Sequence, residues 1–147
     1  MFFRDLIRIL SQFADFVIVD MNSDITSPAG LSVLLASHRI VTPFTTASST
    51  LSHSKVYLDL LQESYQMNSL KFDPILNRAG EGGTVSEEDI ELCVRRKVIA
   101  TIPYDKDYLR SASKGTPLVL GKYSSSRKMF RTFRGVVHQF AREDGGI

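Results

Sequence analysis

The 147-residue sequence contains no Gly-x-x-x-x-Gly-Lys-Ser/Thr loop, the turn whose backbone amides and lysine cradle nucleotide phosphates. Gly80, Gly82 and Gly83 do not replace it, because their spacing differs and no Lys-Ser/Thr follows. A single cysteine, Cys93, excludes an intramolecular disulfide and fits a reducing compartment. On its apolar helix it reads as a packing residue rather than a nucleophile. His38, His53 and His138 are scattered, with no cysteine or acid at ligand spacing, so no metal centre is expected from them. Nor does any spacing support a Ser-His-Asp arrangement. No apolar run reaches the roughly 20 residues of a membrane span. Arg4, Asp5 and Arg8 interrupt the apolar start, which excludes the uncharged core of a secretory signal. A cytoplasmic protein is expected. The formal net charge of +2 is too small to demand nucleic acid or an acidic membrane as partner.

What is present is ordinary globular material: 43% apolar and 23% charged residues, enough for one domain with its own core over residues 1–147. Residues 2–13 set Phe2, Phe3, Leu6, Ile7, Leu10 and Phe13 at helical spacing. Positions 16–20, Phe-Val-Ile-Val-Asp, read as a buried parallel strand with an acid at its carboxyl end. Ligands of open α/β sheets sit at that edge, and in nucleotide hydrolases such an aspartate holds Mg²⁺ through water. Further strands are predicted at 40–44, 71–76, with Asn77-Arg78 at its end, and 98–102, running into Pro103-Tyr104-Asp105. Between them come helices over 31–37, with Pro28 well placed at the start, from the hydroxyl-rich 45–49 to about Tyr65, and after a Ser86/Asp89 capping pair. A short helix stops near Gly115, and a final one covers 124–143. Alternating strand and helix mean an α/β fold, a mostly parallel sheet with flanking helices and right-handed crossovers.

The ordered set of Asp15-Phe-Val-Ile-Val-Asp20, Asn77-Arg78, Val85-Ser-Glu-Glu-Asp-Ile-Glu91, Ile102-Pro-Tyr-Asp105 and Ser113-Lys-Gly-Thr-Pro-Leu118 resembles the carboxy-terminal half of the ParA/MinD superfamily of deviant-Walker ATPases. The spacing is most similar to the CpaE/TadZ pilus-assembly branch. The resemblance implies a partial P-loop NTPase (Rossmann-like) domain in which Asp20 is the Mg²⁺-associated, catalytic aspartate of the Walker B strand. It further implies that Asn77 reads adenine, with Arg78, Pro103 and Tyr104 around the base. A carboxamide suits that task, since it accepts from N6 and donates to N7 at once. A turn-forming asparagine at a strand end is the plainer reading. Two departures accompany the resemblance: the phosphate loop and its strand are not in the sequence, and Met21-Asn22-Ser23 follows Asp20 where relatives often carry Pro or Gly.

The implied activity is an ATP- and Mg²⁺-dependent switch that positions a pilus or secretion machine, with tight binding and turnover not expected of this chain alone. The alternatives are a non-catalytic localisation or interaction module and a DNA-partitioning ATPase. Self-association, or a protein of such a machine, is the expected partner, with the membrane periphery reached through partners. DNA is the weaker expectation. The basic final helix, carrying Lys122, Arg127, Lys128, Arg131, Arg134 and Arg142, reads first as a terminal helix packed by its apolar stripe with a solvated basic face. The alternative is a basic amphipathic helix that meets a membrane or DNA.

Overall fold

Apolar strands and the helices joining them follow one another along the chain, and backbone pairing arranges the strands in the order of the sequence. The computed structural model describes residues 2–22, 24–123 and 126–143. They fall into two units, Met1–Ile40 and Val41–Ile147.

The first unit holds two helices, α1 (Phe2–Leu10) and α2 (Pro28–Ala36). In α2, Ser27 is the N-cap and its Oγ accepts from the Gly30 amide at 3.1 Å, with Pro28 opening the helix as expected. Val33 and Leu34 are its buried side chains, and a Cβ on Gly30 would fall 2.6 Å from the Asp24 carbonyl oxygen. α1 is shorter than its apolar pattern, ending at Leu10, and its Phe2, Phe3, Leu6, Ile9 and Leu10 are exposed. The expected strand at 16–20 does not form. Its β-branched residues have the propensity, but a strand exists through the ladder its neighbour completes, and no ladder reaches this segment. Ile18 is 92% exposed, and Phe16, Val19 and Asp20 also face solvent.

The second unit contains the parallel sheet. Its strands are β1 (Ile40–Phe44, beginning at the unit boundary), β2 (Phe72–Ala79) and β3 (Ala100–Pro103), in the order β1-β2-β3. α3 (Ser48–Glu63) and α4 (Glu87–Val94) are the connections, followed by α5 (Asp107–Ser113) and α6 (Ser126–Glu143). The central strand is buried continuously from Phe72 to Leu76, as a strand covered on both faces must be. Each strand carries a proline, Pro43, Pro74 or Pro103, which removes a ladder donor. At Pro74 the remaining carbonyl is used, accepting from the Ile99 amide at 2.9 Å.

Phe44, Phe72, Ile90 and Val94 are sealed from solvent, while Ile75, Ile102, Leu118 and Met129 form a cluster that Tyr108 joins by donating to the Met129 sulfur at 3.0 Å. Asp73 is fully buried beside Phe72, and Arg96 reaches it at 3.1 Å while also donating to the Leu70 carbonyl.

α4 opens with the expected capping box: Ser86 Oγ accepts from the Asp89 amide and Asp89 Oδ2 from the Ser86 amide. The Ser86 amide and hydroxyl, both donating to Asp89 Oδ2, hold its carboxyl below the usual range. No hydroxyl caps α3. Its N-cap is Ala47, which has no side-chain acceptor, and Thr45 Oγ1 lies 3.0 Å from Thr50 Oγ1 in the first turn. α5 ends before Gly115, whose φ of +62° takes the chain out of the helix. On α6 Met129 is buried, but Phe130, Phe133 and Val137 are exposed, so the apolar stripe is only partly covered. The expected start at Ser124 lies outside the described residues.

Candidate functional site

Asn77 and Arg78 do not follow β2; they lie within it, at an irregularity. Ile75 pairs with Ala100 and Leu76 with Thr101, but the next pair is Ala79 with Pro103. Three residues of β2 therefore advance against two of β3, and Asn77 and Arg78 absorb the excess. Arg78 does so at φ +57°, a conformation uncommon outside glycine. The local bond that accompanies it runs from the Arg78 amide to Asn77 Oδ1, at 3.0 Å. Beyond the bulge the Tyr104 amide donates to the Ala79 carbonyl at 2.8 Å, which ties the chain after β3 to the end of β2.

The bulge also aims the Arg78 side chain. Its guanidinium lies 5.9 Å from the centre of the Tyr104 ring and pairs with Glu81. The hydrogen bond and charge of Glu81 raise the guanidinium pKa further, so Arg78 is a fixed cation. Asn77 Oδ1 keeps a second lone pair, and its amide group can donate. One rim of β2 and β3 thus presents a carboxamide, an aromatic ring that is 37% exposed, and a cation, with Pro103 closing β3 beside them. Those groups suit a planar, hydrogen-bonding heterocycle.

Sequence reasoning passed over Thr46, Glu81 and the structural part of Gly83. Thr46, just past β1, donates its hydroxyl to the Gly82 carbonyl and accepts the Val85 amide on its own carbonyl at 3.1 Å. The paired glycines carried a signal, since Gly82 and Gly83 have φ of +117° and +116°.

Asp20 belongs to the other unit, exposed in an irregular segment. Among the described residues no group of three or more His, Cys, Asp or Glu side chains is placed to hold a metal ion. His138 instead pairs with Arg134 within α6 at 3.1 Å. Burial pushes the Cys93 thiol up, against thiolate formation.

A parallel sheet with flanking helices defines an open α/β protein, the class in which ligands sit at the carboxyl edge of the strands. No family model matches the chain. Over 137 residues it is 25% identical to the septum site-determining protein MinD of Buchnera aphidicola subsp. Baizongia pistaciae (strain Bp), covering 86% of this chain and 50% of that protein. The fold is that of a ParA family ATPase from Chlorobium tepidum TLS, with a TM-score of 0.69, 25% identity, and coverage of 84% of this chain and 52% of that one. It is also that of the cell division protein MinD of Aquifex aeolicus, with a TM-score of 0.73, 19% identity, and coverage of 92% and 59%. The same holds for the Aquifex aeolicus MinC:MinD complex, with a TM-score of 0.74, 19% identity, and coverage of 92% and 58%. The chain is therefore related to the ParA/MinD ATPases. It spans about half the length of the curated relative it matches.

Proposed function

We propose that this chain forms the carboxy-terminal, base-binding part of a ParA/MinD-type ATPase that serves as a spatial switch. The observation that carries the reading is the bulge in β2, which presents Asn77 and Arg78 beside Tyr104 at one rim. In this reading Asn77 accepts from adenine N6 and donates to N7, while Pro103 and Tyr104 wall the base and Arg78 flanks it. Asp20 would hold Mg²⁺ through water in the assembled domain. Bound ATP would supply the phosphoanhydride whose cleavage resets such a switch; this chain's residues select and orient the base. The lysines that neutralise phosphate charge are not in the sequence, so the base contacts act alone here and affinity for ATP is weak. The motif spacing supports the CpaE/TadZ-like role in placing a pilus or secretion machine. The exposed apolar residues of α1 and of 16–20 support association with a second chain, either another copy or a protein of that machine.

The test uses mononucleotides, which isolate the base. In NMR titrations AMP should shift the Asn77 side-chain amide and the Tyr104 amide more than GMP does, and Asn77→Ala should remove the difference. Equal responses to the two purines, or responses confined elsewhere, would overturn the reading.

A further inference from the structure

The loop between β2 and α4 is held from both ends by side chains the base reading does not use. At its near end the Glu81 amide donates to the Arg78 carbonyl at 3.2 Å, and the Glu81 carboxylate pairs with the Arg78 guanidinium. At its far end Thr46 takes hold three times. Its hydroxyl donates to the Gly82 carbonyl, its carbonyl accepts the Val85 amide, and that carbonyl lies so close to Gly83 that a Cβ built there would overlap it. Gly80 and Gly82 share the positive φ, yet a Cβ at either meets open space. The fit is specific to Gly83. These contacts run in sequence from Thr46 past β1, through residues 82 and 81, to Arg78 in β2 and the Tyr104 ring beyond β3.

We infer that Thr46 and Gly83 form a latch that fixes the 80–85 loop as a strap across the sheet rim and thereby positions the Asn77–Arg78 pair. Thr46 is a positioning residue for base selection, a role that rests on the reading proposed above. The physical ground is the strain at the bulge. Arg78 is held at positive φ without a glycine's freedom, and such a conformation persists only where its surroundings over-determine it. The ladder is interrupted at Asn77 and Arg78 and resumes only at Ala79, so the strap, tied to Arg78 through Glu81 and anchored by Thr46, adds the constraint the bulge takes away.

The experiment compares Thr46→Val, Thr46→Ser and Gly83→Ala with the parent chain, with Gly82→Ala as a control for backbone strain alone. Thr46→Val keeps shape and backbone bonding but removes the hydroxyl. Losing one hydrogen bond should speed Val85 amide exchange about three- to tenfold and move the Arg78 and Tyr104 resonances. Thr46→Ser should restore both. Gly83→Ala should exceed Gly82→Ala in each readout, and the AMP-over-GMP preference should fall in step with the loosening. Unchanged Val85 exchange and unchanged Arg78 and Tyr104 resonances in Thr46→Val and Gly83→Ala would overturn the latch. Loosening with the parent's base preference intact would overturn the positioning role alone. Loosening where the parent itself shows no preference would overturn the base reading, and the positioning role with it.

Discussion

Phe13 and Phe72 are the same side chain in opposite circumstances. Phe13 ends the apolar stripe of the first unit and is 81% exposed; Phe72 opens the central strand of the second and is 1% exposed. Two aspartates repeat the contrast, with Asp20 exposed after an apolar run and Asp73 buried within one. Sequence pattern marks these residues alike. What separates them is pairing: β2 is hydrogen-bonded to a strand on each side, and among the described residues the 16–20 segment joins no ladder. Periodicity states which residues seek cover, and long-range pairing decides which of them find it.

The sharpest test of that contrast is its energetic size. Phe72→Ala should destabilise the second unit by about 3–5 kcal/mol through lost transfer energy and the cavity left behind. Phe13→Ala should stay within about 0.5 kcal/mol of the parent. Urea unfolding followed by circular dichroism measures both, and similar costs at the two positions would dissolve the distinction. Phe13→Glu should instead act on association, lowering the sedimentation coefficient if that face is covered by another chain.

Next in size is the buried ion pair. Arg96→Met would leave the Asp73 carboxylate short of its guanidinium in a sealed strand. Breaking such a pair costs about 3 kcal/mol, the lower end being apt because Arg96 is partly exposed and Asp73 has a further interaction. A midpoint unchanged in Arg96→Met would show that solvent reaches Asp73.

The fold was legible wherever the signal was local. β1 at 40–44, the Ser86/Asp89 capping box, Pro28 at the start of α2 and Gly115 past α5 each rest on a few adjacent residues, and each is where the pattern put it. The failures have two causes. The strand at 16–20 needed a neighbour distant in sequence, while α3 begins after Ala47, which has no side-chain acceptor, and Thr45 meets the Thr50 hydroxyl rather than a first-turn amide of the helix. At the candidate site, Asn77, Arg78 and Tyr104 came forward through the family resemblance, and their role in base binding is a proposal. Their bulge was not legible, since it is a register difference between two strands. Thr46 could not be singled out because its role comes from a loop that begins more than thirty residues later.

A smaller effect separates the helix ends. Ser86→Ala should cost about 1 kcal/mol, whereas Ala47→Ser, supplying a hydroxyl where α3 lacks a side-chain cap, should stabilise slightly. The capping box also fixes a pH dependence. Its hydrogen bonds lower the folded pKa of Asp89 below the ordinary 3.8, and those from Lys97 and the Val98 amide lower that of Glu91 below 4.5. A depressed carboxylate pKa contributes stability that is fully present above the unfolded value and is lost as pH falls through the folded one. Stability should therefore hold at neutral pH and decline below about pH 4.5. In Ser86→Ala the part of that decline due to Asp89 should shrink. An unaltered acid limb in that variant would remove Asp89 as a contributor.

The smallest effect is expected at Asp20, and its smallness is informative. Asp20→Asn removes a charge from an exposed segment without a ladder, so stability should stay within about 0.5 kcal/mol of the parent. Amides at 16–20 should exchange with solvent at nearly unprotected rates, because protection requires the bonds this segment does not make. Both results would place any consequence of Asp20 outside the stability of this chain, as its proposed Mg²⁺ role in an assembled domain requires. There the apolar run ending in Asp20 would gain the neighbouring strand that turns propensity into structure. Protected amides at 16–20 in the parent chain, lost in a variant such as Ile18→Gly, would break the argument. They would show that the segment already pairs, and that the contrast between Asp20 and Asp73 is one of solvent contact alone.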